Sequence, residues 1–448
     1  MLTRLLLFTT LFITSHTAFT QDFFDIVEVE ETAEEVPDSA LKIRGHVQQD
    51  IKYGLHQPDS DFAFERNKRG LSQVRSEIFL EAKYIFSPAL SAQISGKSEI
   101  DWMQWQQGNQ DWKPEKYDNR LKDAFIDYTF ADTWWLRAGK QVFAWGESES
   151  LSITDILSTQ DLREPGQAEL EDIRESVAAL SLSKSINRPS LLSTLNFVLT
   201  YKAGTDLYAE AHEDFYPNIS LKPLLSNEQI HFSEPRKEWE AALRYSLNAA
   251  GGDYSLVLGE INSNTPEAWL ANGLDDGIPD ELFFLQRRQR VYGLSANKAL
   301  REFILRSEYA YYDDKDFSQI GNLPLFRQQQ QRFMAGAEYA GFNNWILSFE
   351  YNVLKTEIKE HSAESDSDTG FTLRIQNNAF NEKLTSQLWL IKLSEFGGEV
   401  ARLSLSYKPV DNWEFLAAYI LYANDKPDST LYPFRKNDTL NLAFKYGF

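Results

Sequence analysis

The chain has no cysteine among its 448 residues. That excludes disulfides, thiolate metal sites and thiol catalysis, even for an exported protein in an oxidising compartment. Long apolar runs are missing too. Beyond the N-terminal segment none reaches the roughly 18 residues of a helical membrane span, and mean hydropathy is −0.43. Basic residues are in deficit, 45 Lys and Arg against 66 Asp and Glu, for a net charge of −21. A phosphate backbone would be repelled, so nucleic acid is not an expected partner. Histidine is scarce: six in the chain. His16 falls in the N-terminal apolar segment, His46 on an alternating stretch, and His56, His212, His231 and His361 in or beside loops. A Ser–His hydrolase needs a hydrogen-bonded pair and a third orienting group. No alternating stretch brings His and Ser together at a lipid-facing rim, so an outer-membrane hydrolase is the weakest reading, with no catalytic residue, cofactor or metal expected. The acidic loop Asp275–Glu281 has oxygen ligands but not the spacing of a calcium loop; it reads as solvated, or as bridging lipopolysaccharide through cations.

Aromatic residues, by contrast, make up 14% of the chain. High aromatic content without helical spans points to a membrane β-barrel, whose strands show only every second residue to lipid. Residues 1–20 read as a secretory signal peptide: Arg4, then an apolar run Leu5–Ile13, then Ala18-Phe19-Thr20. Residues 21–39 form an acidic leader from Asp22 to Asp38 with no base, expected to stay extended in the periplasm by like-charge repulsion. Residues 40–448 are read as the barrel.

The alternation starts at once. Leu41, Ile43, Gly45, Val47, Ile51 and Tyr53 share one face, with Lys42, Arg44, His46, Gln48, Asp50 and Lys52 on the other. Soluble sandwiches rarely hold one phase so long, whereas a tilted membrane strand of about ten residues requires it. Short turns near Ser87–Ala89, Ala131–Thr133, Asn187–Ser190, Asn248–Asp253, Asn297–Arg301, Gly341–Asn344 and Pro409–Asn412 alternate with long polar links near 57–70, 104–119, 202–236, 260–287, 312–331, 355–368 and 423–437. That asymmetry matches short periplasmic turns and long outer loops. Trp134, Trp135, Trp345 and Trp413 follow short turns, where an interfacial girdle belongs. The pattern gives an all-β transmembrane antiparallel barrel of about 18 strands, with 16 or 14 as alternatives. It is weakest over 355–400, where Phe371, Leu373 and Ile375 mark one strand and Gln387, Trp389, Ile391 and Leu393 the next.

Charges of both signs collect on the lumen phase. Channel-lining candidates are Arg44, Arg75, Arg137, Gln141, Arg244, Arg306, Arg374 and Arg402, opposed by acids that include Glu77, Glu99, Glu308, Glu338 and Glu350. They read equally as a self-neutralising brace and as a field that selects solutes.

One stretch breaks the rhythm. Trp134–Gln141 alternates as the fifth strand; then GESESLSITDILSTQDLREPG turns polar and acidic and closes on Pro165-Gly166. The reading is a loop folded inward after the fifth strand, with Trp145-Gly146 at the upper membrane boundary and Trp145, Gly146, Glu147, Asp155, Asp161, Arg163 and Glu164 forming the constriction. Gly139, Lys140, Gln141, Val142, Trp145, Gly146 and Glu147, with Arg163, Pro165 and Gly166, resemble the G-[RK]-Q-V-x-x-W-G-E signature and R-x-P-G close of a proteobacterial outer-membrane barrel family of unknown function. More distantly the chain is similar to alginate-export porins. The resemblance implies an outer-membrane channel for passage or export of a small or amphipathic solute, acting beside an inner-membrane efflux system. Alternatives are a polyanion exporter selecting through the lumen arginines and a docking barrel that recruits a periplasmic partner through its leader. Expected partners are outer-membrane lipid, lipopolysaccharide and the barrel-assembly machinery, which would recognise the terminal strand Leu440, Leu442, Phe444, Tyr446, Phe448.

Overall fold

The computed structural model describes residues 40–56, 69–103, 117–150, 152–188, 191–201, 204–209, 215, 230–232, 238–271, 281–316, 328–358, 365–394, 398–424 and 431–448. The signal and leader readings, His16, His212, His361 and most of the acidic loop at 275–281 lie outside the described residues.

The strands are β1 (Leu41–Gly54), β2 (Gly70–Ser87), β3 (Leu90–Asp101), β4 (Tyr117–Phe130), β5 (Trp134–Gln141), β6 (Val177–Arg188), β7 (Leu191–Tyr201), β8 (Ile230–Phe232), β9 (Trp239–Ala249), β10 (Gly252–Asn262), β11 (Glu267–Ala271), β12 (Glu281–Leu285), β13 (Arg288–Leu300), β14 (Phe303–Asp316), β15 (Gln328–Phe342), β16 (Trp345–Ile358), β17 (Ser365–Ala379), β18 (Leu384–Ser394), β19 (Gly398–Val410), β20 (Trp413–Ala423) and β21 (Thr439–Gly447). Eighteen of them form one antiparallel sheet in which each pairs with the next along the chain. β21 returns to β1 through the register His46↔Gly447 to Gly54↔Thr439, and Gly45 and Phe448 exchange two backbone hydrogen bonds of 2.9 Å. Closure leaves no sheet edge at the joint, as hydrocarbon demands. The remaining strands make a small separate sheet, β11 antiparallel to β12 and β12 parallel to β8. They fall in the links 202–236 and 260–287, read from sequence as plain polar loops. Their pairing partners come from different loops, which local pattern cannot show.

The alternation orients the wall. Ile43, Leu80, Ile94, Ile126, Phe349 and Leu405 are exposed on the outer face, as are all five apolar residues of the terminal strand. Their odd-numbered or even-numbered neighbours are Lys, Glu, Ser and Arg turned inward, where a charge escapes the roughly 2–4 kcal/mol cost of facing hydrocarbon at the midplane. Short turns are links of two to four residues that include left-handed backbone, such as Ala131-Asp132 and Ala250-Gly251, whose twist suits a hairpin. The doubtful region 355–400 resolves into β17 and β18 joined by a tight turn at 380–383. In β18 the set containing Gln387 and Trp389 is the inward one; Trp389 is buried beneath Arg402 and Arg374. A lumen-facing tryptophan inverts the usual apolar-out rule, and sequence phase alone misleads there.

Candidate functional site

After Gln141 the chain leaves the sheet and returns only at Val177, and the intervening segment defines the lumen. Its first arm carries Phe143, Trp145, Ile153, Ile156 and Leu157, all buried. They pack on an apolar patch made by inward residues of seven other strands, among them Val198, Val257, Val291, Ala310 and Met334. Small wall residues make the seat: a Cβ on Gly259 would lie 2.6 Å from Ile156, and one on Gly293 would lie 3.1 Å from Thr154. A water-exposed loop would leave these apolar side chains hydrated, at about 1.5–3 kcal/mol for each large one.

Carboxylates of the wall finish the docking. Glu308 on β14 is fully buried. One of its oxygens accepts the backbone N–H groups of Glu147 (2.7 Å) and Ser148 (2.8 Å), the other those of Ile153 and Thr154 (both 2.8 Å) and the Thr154 hydroxyl (2.9 Å). Glu350 on β16 accepts from the hydroxyls of Ser148 and Ser150 and the N–H of Glu149, and Tyr312 donates to the Ile153 carbonyl at 2.7 Å. A β14 carboxylate is the sixth strand round the sheet from β5, and β16 the eighth of eighteen. A segment bonded to both lies inside the closed wall.

Within the segment, Asp155 accepts the N–H groups of Trp145 (2.5 Å) and Gly146 (2.7 Å) and pairs with Arg174. Gly146 is required by contact: a Cβ there would overlap Ser152. The second arm crosses to the other wall. Glu164 meets Lys52 at 2.9 Å and Arg75 at 3.2 Å on β1 and β2; Tyr422 on β20 donates to the Pro165 carbonyl at 2.8 Å; Arg402 on β19 donates to the Gln167 carbonyl at 2.7 Å. A single helical turn at Leu170–Ile173 leads back, and Glu175 pairs with Arg120 and Lys122 on β4. Burial would raise the Glu164 carboxyl, but Arg75 and Lys52 hold it below the usual carboxylate range. Burial, reinforced by Glu338, lifts Glu149 up to about 7 against the pull of Arg374 and Arg306.

The segment fills one side of the lumen and leaves the other open. What remains is a cavity of about 1040 Å³ bounded by β1–β4, β17–β21 and the second arm, with Arg75, Lys97, Glu99, Arg374 and Arg402 among its walls.

Of the sequence-derived lining residues, Arg75, Arg374 and Arg402 border this cavity. Arg244 and Arg306 instead face the first arm, through Glu147 at 3.9 Å and Glu149 at 3.0 Å. Arg44 pairs with Glu81 and Arg137 with Asp127 toward the short-turn end. Gln141 is buried at the bend and donates to the Ala179 carbonyl. Asp161 and Arg163 pair with each other, and further with Arg120 and Asp118. Trp145 is buried inside the barrel against Phe143. One expectation is corrected. Asp155 does not face the pore: its side chain is 1% exposed and already neutralised by Arg174. Sequence reading missed the roles of Glu308 and Glu350, though it set both on the lumen face. The overlooked signal was the run of small and apolar residues (Val257, Gly259, Val291, Gly293, Ala310) in lumen phase, where a water-filled channel has no use for them.

A family model described as a protein of unknown function, DUF1302, matches residues 95–355. The chain belongs to this family. The match holds β4, β5, the lumen-crossing segment and the Glu308 and Glu350 strands. Among solved structures the DUF1302 chain is similar to OccAB3 of Acinetobacter baumannii, with TM-score 0.54, 10% identity, and 91% of this chain and 99% of that chain covered. It is also similar to OccAB4 of the same organism, with TM-score 0.50, 10% identity, and 92% and 98% covered. At such identities the likeness is one of fold: a porin-like outer-membrane β-barrel. No curated protein matches the sequence.

Proposed function

We propose that this protein is an outer-membrane channel, not an enzyme, that passes or exports a small or amphipathic solute through an off-centre polar route. The single observation that carries this reading is the cavity of about 1040 Å³ left beside a lumen segment that is otherwise bonded to the wall. A barrel of this strand number leaves an aqueous channel unless something fills it, and here the filling is partial and one-sided. Trp145, Gly146, Glu147 and Asp155 are the structural half of the constriction; Asp161, Arg163 and Glu164 border the open half. The histidines do not favour hydrolysis: His46 is held by Glu77 at 2.9 Å and stacked on Phe79, and His56 by Asp438 at 3.0 Å. A polyanion exporter is the weaker transport reading, because Arg75, Arg306, Arg374 and Arg402 each already face a carboxylate. Single-channel recording with ion substitution tests the proposal. Discrete conductance smaller than that of an open barrel of equal strand number is expected; a folded, inserted protein that never conducts would overturn it.

A further inference from the structure

The wall itself has a discontinuity beside the cavity. The ladder between β4 and β5 stops at Ala124↔Lys140, yet β4 continues to Tyr117 against β3. The last β5 residue, Gln141, pairs with Val177 of β6 and not with Asp123; opposite Asp118–Lys122 no β5 residue follows among the described residues, since the chain has turned inward. Gly139 makes the departure feasible: its φ is +134°, and a Cβ would sit 2.1 Å from the Ala124 carbonyl oxygen. A register shift in β4 opposite Ser95/Gly96 falls at the same level, and bulges commonly end or redirect pairing.

An open edge is not tolerated in hydrocarbon, where each unmet backbone group costs several kcal/mol. Here the edge is closed by side chains. The Lys140 ammonium donates to the Leu121 carbonyl at 2.5 Å, and the Ser176 hydroxyl donates to the Lys122 carbonyl. Glu175 binds Arg120 at 2.9 Å and Lys122 at 2.8 Å. The returning arm turns its own backbone inward, Glu175 N–H to the Thr159 carbonyl and the Ile173 carbonyl to the Asp161 N–H. Such a joint opens by rotating side chains, with no ladder to break.

The joint sits at lipid depth and touches the cavity. Leu121 lies between the outward aromatics Tyr117 and Tyr128 of β4; at about 3.3 Å per residue and a tilt of about 45° it is roughly 9 Å below Tyr117. Val142 and Tyr117 border the cavity, and each is more than a third exposed. We propose that this seam, between Asp118–Asp123 of β4 and Ile173–Ser176, is a lateral passage from the cavity into the outer leaflet for amphipathic solutes with a hydrocarbon part and a charged head. A wholly polar solute gains nothing by entering hydrocarbon, and a wholly apolar one gains nothing from a cavity walled by Arg75, Lys97 and Glu99. The proposal rests on the channel reading and extends it by a second exit.

The test uses the cysteine-free parent. Leu121→Cys with Val142→Cys, exposed residues on either side of the seam just past its last ladder pair, are joined by a short bifunctional thiol reagent. The protein is placed in vesicles with a lipopolysaccharide outer leaflet, and entry of a dansyl-labelled fatty carboxylate into the bilayer is followed by fluorescence; ion conductance is read separately in planar bilayers. The unlinked protein should speed probe entry over protein-free vesicles, and linking should return entry to that background while conductance stays unchanged. Lys140→Met, which removes one closing bond, should speed entry further. Entry unaffected by the link, entry and conductance falling together, or no entry in the parent would overturn the passage. Probe entry without any ion conductance would instead overturn the axial channel and leave the seam standing.

Discussion

At the scale of single residues, Glu308 governs the lumen. Its two oxygens accept four backbone N–H groups from the segment, so Glu308→Ala strands buried donors at about 1–3 kcal/mol each. The expected outcome is an assembled barrel whose conductance rises and fluctuates, read in planar bilayers; Glu308→Gln, which retains an acceptor oxygen but brings an N–H₂ against the same donors, should fall between. Glu149 adds a pH dependence. Its carboxyl is lifted to about 7 in the folded protein by burial and by Glu338, above the roughly 4.3 of a free side chain. The neutral form is therefore favoured by folding: the stabilisation is complete below the free value and is lost as pH rises through about 7. The segment should sit most firmly under acid conditions and loosen from pH 5 to 8. Conductance noise recorded over that range should increase in the parent and stay flat in Glu149→Gln; equal slopes would place the titration elsewhere.

At the scale of the element, the segment after β5 is a folded unit. Asp155 joins Trp145, Gly146 and Arg174, so Asp155→Asn should disturb width as well as field and resemble a variant with Ser148–Glu164 shortened: higher conductance, weaker discrimination between ions. Glu164→Gln should behave differently. It faces the cavity with Lys52 and Arg75, and its loss frees positive charge, shifting preference toward anions with little change in conductance. That shift should fade with salt as the Debye length drops from about 10 Å at 0.1 M to about 3 Å at 1 M. Strand phase is checked on β19, where Leu403, Leu405 and Tyr407 are exposed and Ser404 and Ser406 between them are half-buried. Leu405→Arg should impair assembly by about 2–4 kcal/mol if near the midplane, measured by heat-modifiable mobility, while Ser404→Arg should assemble.

At the scale of the whole molecule, the closed sheet sets orientation. Cysteines placed in 104–119 or 260–287 should react with an impermeant reagent on intact cells, and ones at Gly251 or Asp411, in short turns, should not; the reverse would invert the barrel. The wall closes between β1 and β21, with Phe448 and Gly45 bonded at the joint.

Strand number, facing and the asymmetry of the two rims were legible in sequence because they follow from a local rule. Lipid takes apolar side chains, the lumen takes the alternate ones, and Ile43, Leu80 and Leu405 obey it without reference to any distant residue. The position of the segment was legible as a break in that rule as far as Pro165-Gly166, and its return to the wall only at Val177 was not. What it does inside was not, because its partners are far away in sequence: Glu308 and Glu350, Tyr422 and Arg402. Their meeting is set by the closed sheet, which brings strands distant in sequence round to the segment. The same holds for Asp155, an acid that looks like a pore charge until Arg174 folds back on it, and for Trp389, a tryptophan turned inward because arginines on both neighbouring strands cover it. Local alternation determined the wall; only closure of the wall decided which charges remained to face a solute, since a carboxylate with a cation already at hydrogen-bond distance has little field left to offer.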